Sequence, residues 1–379
     1  AAQGFAEASG ALDRADANTA QLVRLQAIQN NLVRADADAT NAFLVGGLEP
    51  AAQRADYQKA VGEASRLIAD AARSQPADNA ALDALNNALL DYTGLVEQAR
   101  ANNRQGLPVG AQYLRNASSG LRSTALPLLE NLVKANQERV TTEFDGIGRG
   151  YAWLSIAGLL ALVAIGGTLY WLARRTHRYV NVPLAIGGIA VLLATFGGAT
   201  ALSNVGSKVD DIRHGPYDAT LALAQARIAA YDAKSNESLT LISRGSGAAF
   251  EKAWQAASKT AGDKLAEASG LRPDAKSLPA GWKSYTAIHT AIRSADDNGK
   301  WEDAVDLAIG TTGNTSNQAF TAFDTSSATV LGSTVDETRS KLSDAGGPLP
   351  ITRWLCFAAG LLAAICAWLG VSQRLEEYR

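Results

Sequence analysis

Three long stretches contain no Asp, Glu, Lys, Arg or His, and they constrain this chain more than any other feature: Tyr151 to Ala173, Tyr179 to Ser207 and Trp354 to Gln373. A helix needs about 20 apolar residues to cross a hydrocarbon core of roughly 30 Å, and each stretch supplies them. A helix also satisfies its own backbone groups, which lipid cannot do. The spans are therefore set at 151–173, 179–205 and 351–373, with a short loop at 174–178 and a tail at 374–379. Two polar blocks, 1–150 and 206–348, make up most of the mass.

Few prolines and aromatics, and much Ala, Asn, Asp, Gln, Arg and Ser, favour long helices over sheets in both blocks. The expected fold class is all-α. In the first block Leu82, Leu85, Leu89, Tyr92 and Val96 step by three and four, as do Leu22, Leu25, Ile28 and Leu32. Breaks at Gly46 to Pro50, Ser74 to Pro76 and Gly106 to Pro108 predict helices over 5–46, 50–74, 77–105 and 109–148, with Pro127 marking a kink. In the second block Leu221, Ala224, Ile228, Tyr231, Ser235, Ser238 and Ile242 keep the same rhythm. Breaks at Arg244 to Gly247, Gly270 to Gly281 and Asn298–Gly299 predict helices over 206–243, 247–269, 281–297 and 301–345.

The blocks also echo each other. Tyr92–Thr93, Arg100 and Gly106 align with Tyr285–Thr286, Arg293 and Gly299, Asp36–Ala37 with Asp232–Ala233, and Tyr57 with Trp254. This reads as an internal duplication of two tandem four-helix bundles. The basic loop with Arg174, Arg175 and Arg178, and the tail with Arg374, are assigned to the cytoplasm by the positive-inside rule. Both blocks are then extracytoplasmic, on a multi-pass protein of the plasma membrane. Two equal modules need two spans each, so a fourth span is expected before residue 1. The first and third breaks of each block fall at the tips far from the membrane.

Much chemistry is excluded. Cys356 and Cys366 both lie in the last span, roughly 15 Å apart along a helix, so no disulfide staples the blocks. His177, His214 and His289 are too scattered for a metal site. Gly245–Ser246–Gly247 lacks the lysine of a phosphate loop, and no serine sits in a nucleophile elbow. Neither an enzyme nor a metal or other cofactor is expected, and a net charge of −2 gives no basis for nucleic-acid binding. The three uncharged stretches argue against an ion path or transporter. Small-residue rows, Ala190–Ala194–Gly198 and Ala359–Ala363–Ala367, are read as helix-packing faces.

Recognition remains. Phe43, Leu44 and Leu48 make an unusually apolar tip, and Arg104 and Arg244 lie at the neighbouring reversals. These five are the expected partner-binding residues, with Arg100 and Arg293 as candidates for holding a small ligand between helices. Arg174, Arg175, Arg178 and Arg374 form the expected cytoplasmic relay surface. The run Asn41-Ala42-Phe43-Leu44-Val45-Gly46-Gly47-Leu48-Glu49-Pro50, followed by Arg54 and Tyr57, resembles the helix-one to helix-two junction of bundle sensor modules in actinobacteria. Such modules occur in bacterial chemoreceptors and sensor kinases. With the tandem arrangement and the terminal Arg374-Leu375-Glu376-Glu377-Tyr378-Arg379, the chain is similar to the GlnX-like family of actinobacterial membrane proteins. That resemblance implies a relay from a GlnH-like solute-binding lipoprotein, sensing an external amino acid, to a protein kinase G-like cytoplasmic kinase. A homodimer is among the partners such bundles allow. The alternatives are a receptor that binds its small molecule directly, and a structural subunit of a cell-envelope complex.

Overall fold

The computed structural model describes residues 2–176, 181–310 and 313–376, and among these it contains helices and no strand. The fold is all-α. The first block forms α1 (Ala2–Val45), α2 (Ala51–Ser74), α3 (Asn79–Arg104), α4 (Val109–Gly120) and the start of α5 (Leu126–Thr176). Then follow α6 (Val182–Ile212), α7 (Asp218–Ile242), α8 (Ala248–Leu271), α9 (Leu278–Asp297), α10 (Trp301–Ile309), α11 (Ser316–Gly346) and α12 (Leu349–Glu376). The span expected before residue 1 and the relay residue Arg178 lie outside the described residues.

Two details depart from the sequence reading. Pro127 does not kink a regular helix at its own position; a π turn at Leu121–Ala125 sits just ahead of it, joining α4 to α5. A second π turn, Arg213–Tyr217, contains Pro216. A proline removes one N–H from the i→i−4 ladder, and a wider turn is one way a helix absorbs that loss. The helix expected over 301–345 is split into α10 and α11. Gly310 turns to ψ 152°, a Cβ there would overlap the carbonyl of Asp306, and the backbone N–H of Gln318 is capped by Thr315 Oγ1 at 3.4 Å as α11 begins.

Contacts divide the chain into two compact units: residues 1–18, 138–213 and 339–379, and residues 19–137 and 214–338. In the first unit three helices are long and apolar enough to cross a membrane. They contribute outward side chains such as Leu159, Val163, Leu193, Phe196, Leu361 and Ile365, all more than 45% exposed. That surface and those lengths make this a membrane protein. The small residues face inward. A Cβ on Gly187 would stand 3.2 Å from the Ala363 carbonyl, and Cys356 Sγ lies 3.5 Å from the Ala194 carbonyl, so α6 and α12 approach closely. Asn181 caps α6 through the N–H of Leu184 and donates to the Gly370 carbonyl at 2.8 Å. Cys356 and Cys366 are free thiols.

The second unit holds most of the helices of both blocks. Leu25, Ile28, Leu32, Leu82, Leu85, Leu89, Tyr92 and Val96 are buried in one core, as their spacing predicts. Each such leucine contributes about 1.5–3 kcal/mol by leaving water. In α7 the three-four rhythm is only one stripe of a helix buried on nearly every side: Ala222, Leu223, Ala226, Ala230, Ala233 and even Glu237 are almost fully enclosed. Small side chains let other helices approach it all round. Val33 and Ala37 of α1 belong to the core of the second block, and Leu44 packs with Leu241, Ile288 and Ile292. The blocks therefore share their cores.

A charged joint lies in the same shared region. Arg122 donates to Asp36 Oδ2 at 2.9 Å and to Asp232 Oδ1 at 2.7 Å, and Asp36 also accepts from Ser118 and Ser235 at 2.6 Å each. Asp36 is 1% exposed. A buried carboxylate at this depth needs full hydrogen bonding, and Arg122 with the two serines supplies it.

Candidate functional site

Four chain reversals meet in the second unit. α1 ends at Gly46 and Gly47, whose φ of 70° and 57° is left-handed and open to glycine at little cost. The α3–α4 turn is tied to that end by Asn103, whose amide donates to the Phe43 carbonyl at 3.1 Å. The turn after α7 and the start of α10 complete the group: Trp301 Nε1 donates to the Leu241 carbonyl at 2.9 Å. Between these reversals lies a cavity of about 510 Å³, lined by Phe43, Leu44, Val45, Ile242, Arg244 and Trp301 among others.

Arg244 is the feature of this cavity most in need of explanation. Its φ is 38°, the one positive value on a non-glycine residue among the described residues. A left-handed L-residue costs roughly 1–2 kcal/mol. Its guanidinium carbon sits 4.0 Å above the Trp301 ring, a cation–π contact worth about 0.5–1 kcal/mol where solvent reaches it. The strained backbone thus holds an exposed cation over an indole in the lining of a cavity of mixed polarity, which Glu302 and Asp306 also line.

Placement of the other expected partner-binding residues is mixed. Leu44 is withdrawn into the core at 9% exposure and Phe43 is half-buried, whereas Leu48 projects at 83%. Leu107 and Val109, at the next reversal, are 44% and 47% exposed, and Arg104 is exposed beside them. The two ligand candidates are engaged by neighbours. Arg100 donates to Glu49 at 3.0 Å and Glu97 at 2.9 Å and lies 4.0 Å over the Tyr57 ring. Arg293 pairs with Asp296 at 2.5 Å, with Asp297, and with Glu251 at 3.5 Å. Of the relay residues Arg174 is exposed at the end of α5, while the side chains of Arg175 and Arg374 fall outside the described residues.

Sequence reasoning missed a second polar centre. His289 is 2% exposed, with Nδ1 2.9 Å from Glu237 and Nε2 3.1 Å from Glu251, and its ring stacks on Trp254 at 3.5 Å. Two carboxylates on two ring nitrogens call for two N–H groups, hence an imidazolium. Burial alone would lower its pKa, but the hydrogen bonds to Glu237 and Glu251 outweigh it and raise the value above 6.5. Burial likewise opposes ionised Glu237, yet the Lys234 charge and the His289 hydrogen bond hold its pKa down to about 2. Lys234 reaches Glu237 at 2.6 Å and Ser316 at 2.8 Å. The available signal was a Lys234–Glu237 pair, three residues apart, inside an alanine-rich helix.

Among the described residues no group of His, Cys, Asp and Glu has a metal-binding arrangement. Residues 11–145 match a protein family described as an actinobacterial sensor domain. The match covers the first block up to the start of the apolar part of α5 and supports a sensor-type protein of actinobacterial kind. No curated protein and no solved structure matches the chain.

Proposed function

We propose that the chain is a non-enzymatic transmembrane relay built from two tandem sensor modules. An extracytoplasmic amino-acid signal arrives through a GlnH-like solute-binding lipoprotein docked at the chain reversals. It leaves to a protein kinase G-like cytoplasmic kinase at the basic surface of Arg174, Arg175, Arg178 and Arg374. The sensor-domain match over residues 11–145 and the three membrane-length helices support this reading. The observation that carries the docking site is Leu48, a large apolar side chain 83% exposed on a turn fixed by Gly46, Gly47 and the Asn103 hydrogen bond. An exposed leucine on a turn, with Leu107 and Val109 exposed at the next reversal, fits the apolar centre of a protein interface, with Arg244 and Arg104 as its charged rim.

A photo-crosslinker replacing Leu48 in native membranes should capture a solute-binding lipoprotein, and the additional change Arg244→Glu should reduce capture at least tenfold. Equal capture from an exposed position outside the reversals, such as Lys259, would refute tip docking.

A further inference from the structure

A second cavity, of about 350 Å³, opens among α1, α2, α7 and α11 and is lined by Arg34, Asp38, Asn41, Gln53, Asp56 and Asp324 among others. Its floor is built: Tyr231 and Phe320, 4% and 6% exposed, line it with aromatic surface. Three of its polar atoms stand out. Asp38 Oδ2, Asn41 Oδ1 and Gln53 Oε1 are each cut off from solvent and have no hydrogen-bond donor. Folded proteins leave few such atoms unsatisfied, and those that occur ask for a reason.

The donors nearby are already committed or too far away. Lys234 is held by Glu237 and Ser316, and Arg227 takes Asp324 at 2.8 Å. Arg34 approaches Asp38 at 3.7 Å and Asp56 at 4.0 Å, which is attraction without a hydrogen bond. Two carboxylates therefore share one loosely placed guanidinium, and all three orphan atoms are acceptors. A ligand that completes this set must bring N–H donors and positive charge.

We propose that this cavity binds a small organic cation through a primary ammonium group drawn to the Asp38 and Asp56 carboxylates, with its carbon chain against Phe320 and Tyr231. An ammonium brings three N–H donors, a positive charge and no acceptor. A carboxylate ligand would add acceptors where none are wanted. Burial pushes the Asp38 carboxyl up to about 7 despite Arg34, as expected of a carboxylate short of a counter-charge. An arriving ammonium would drive it to ionise and release a proton. The other titratable groups facing the cavity are Arg34, Asp56, Tyr231, Lys234 and Asp324.

Calorimetry on the full chain in nanodiscs at pH 7 tests this with n-butylamine, 1,4-diaminobutane, 1,4-butanediol, succinate, glutamate and Mg²⁺. The amines are expected to bind, with an enthalpy that varies with the ionisation heat of the buffer. Asp38→Asn should weaken binding at least tenfold, and Asn41→Asp, which adds a further carboxylate, should tighten it several-fold. A gain of affinity cannot arise from misfolding. No binding by either amine, equal binding of the diol, a preference for succinate, glutamate or Mg²⁺, or indifference to both substitutions would overturn the proposal. The site is independent of tip docking: Leu48→Asp should leave amine binding unchanged whatever it does to partner capture.

Discussion

The two blocks place a cation on an aromatic ring in corresponding regions, but not the same cation. In the first, Arg100 lies over Tyr57 and pairs with Glu49 and Glu97. In the second, Trp254, which the sequence echo aligns with Tyr57, stacks instead on His289 between Glu237 and Glu251. A guanidinium stays charged at any pH a cell meets, whereas an imidazolium does not. The first arrangement is therefore fixed and the second titrates. One helical pattern yields one permanent and one pH-sensitive cation–ring contact.

The joint that both blocks share offers the largest effect. Arg122→Ala leaves Asp36 and Asp232 without their cation inside the shared region, and should destabilise the protein by about 3–5 kcal/mol in denaturant unfolding. A loss below about 1 kcal/mol would mean that the two blocks do not depend on this joint.

The next test separates the two interiors by pH. The folded pKa of His289 is raised above 6.5, so its stabilisation is complete below 6.5 and is lost as pH rises through the raised value. Glu237 and Glu251 are lowered from 4.5, so theirs is complete above 4.5 and is lost as pH falls through the folded values. Hydrogen exchange in α8 and α9 should be slowest between these limits and quicken, once corrected for intrinsic rates, as pH rises through the raised His289 value, while α3, which carries Arg100, changes less. His289→Gln should flatten the α8–α9 profile. A profile that persists in the variant would assign the pH dependence to another group.

Arg100→Lys keeps the charge in the first block but loses the fork between Glu49 and Glu97, and should cost about 1–2 kcal/mol with no new pH dependence. Arg244→Gly sets backbone relief against the lost Trp301 contact and should move the melting free energy by less than about 1 kcal/mol. Leu48→Asp should change stability least, within about 0.5 kcal/mol, because the side chain touches little in the folded chain. A larger loss there would show that Leu48 packs rather than waits.

Much of the fold was legible because local rules decided it. Gly46–Gly47, Gly106 and Asn298–Gly299 end helices by backbone conformation alone, and they do so where the sequence places them. The split at Gly310 was also written in the sequence, as a run of Gly, Thr and Asn from 310 to 315, but the surrounding periodicity masked it. The candidate sites were far less legible. Leu44 and Leu48 look alike in sequence, and only packing against Leu241, Ile288 and Ile292 buries one and leaves the other exposed. Nothing in the spacing of Asp36, Arg122 and Asp232, or of Glu237, Glu251 and His289, tells that they converge, because the hydrogen bonds that join them span 38 to 110 residues.

The sequence by itself determined the helical class, the three membrane-length helices and most of the breaks, since hydropathy, turn residues and periodicity act over a few residues at a time. Tertiary structure alone decided that the two blocks share their cores, that α7 is enclosed on nearly every side, and which polar groups are paired and which are left as unmet acceptors. Those outcomes depend on the distances between helices, and a linear order of residues does not contain them.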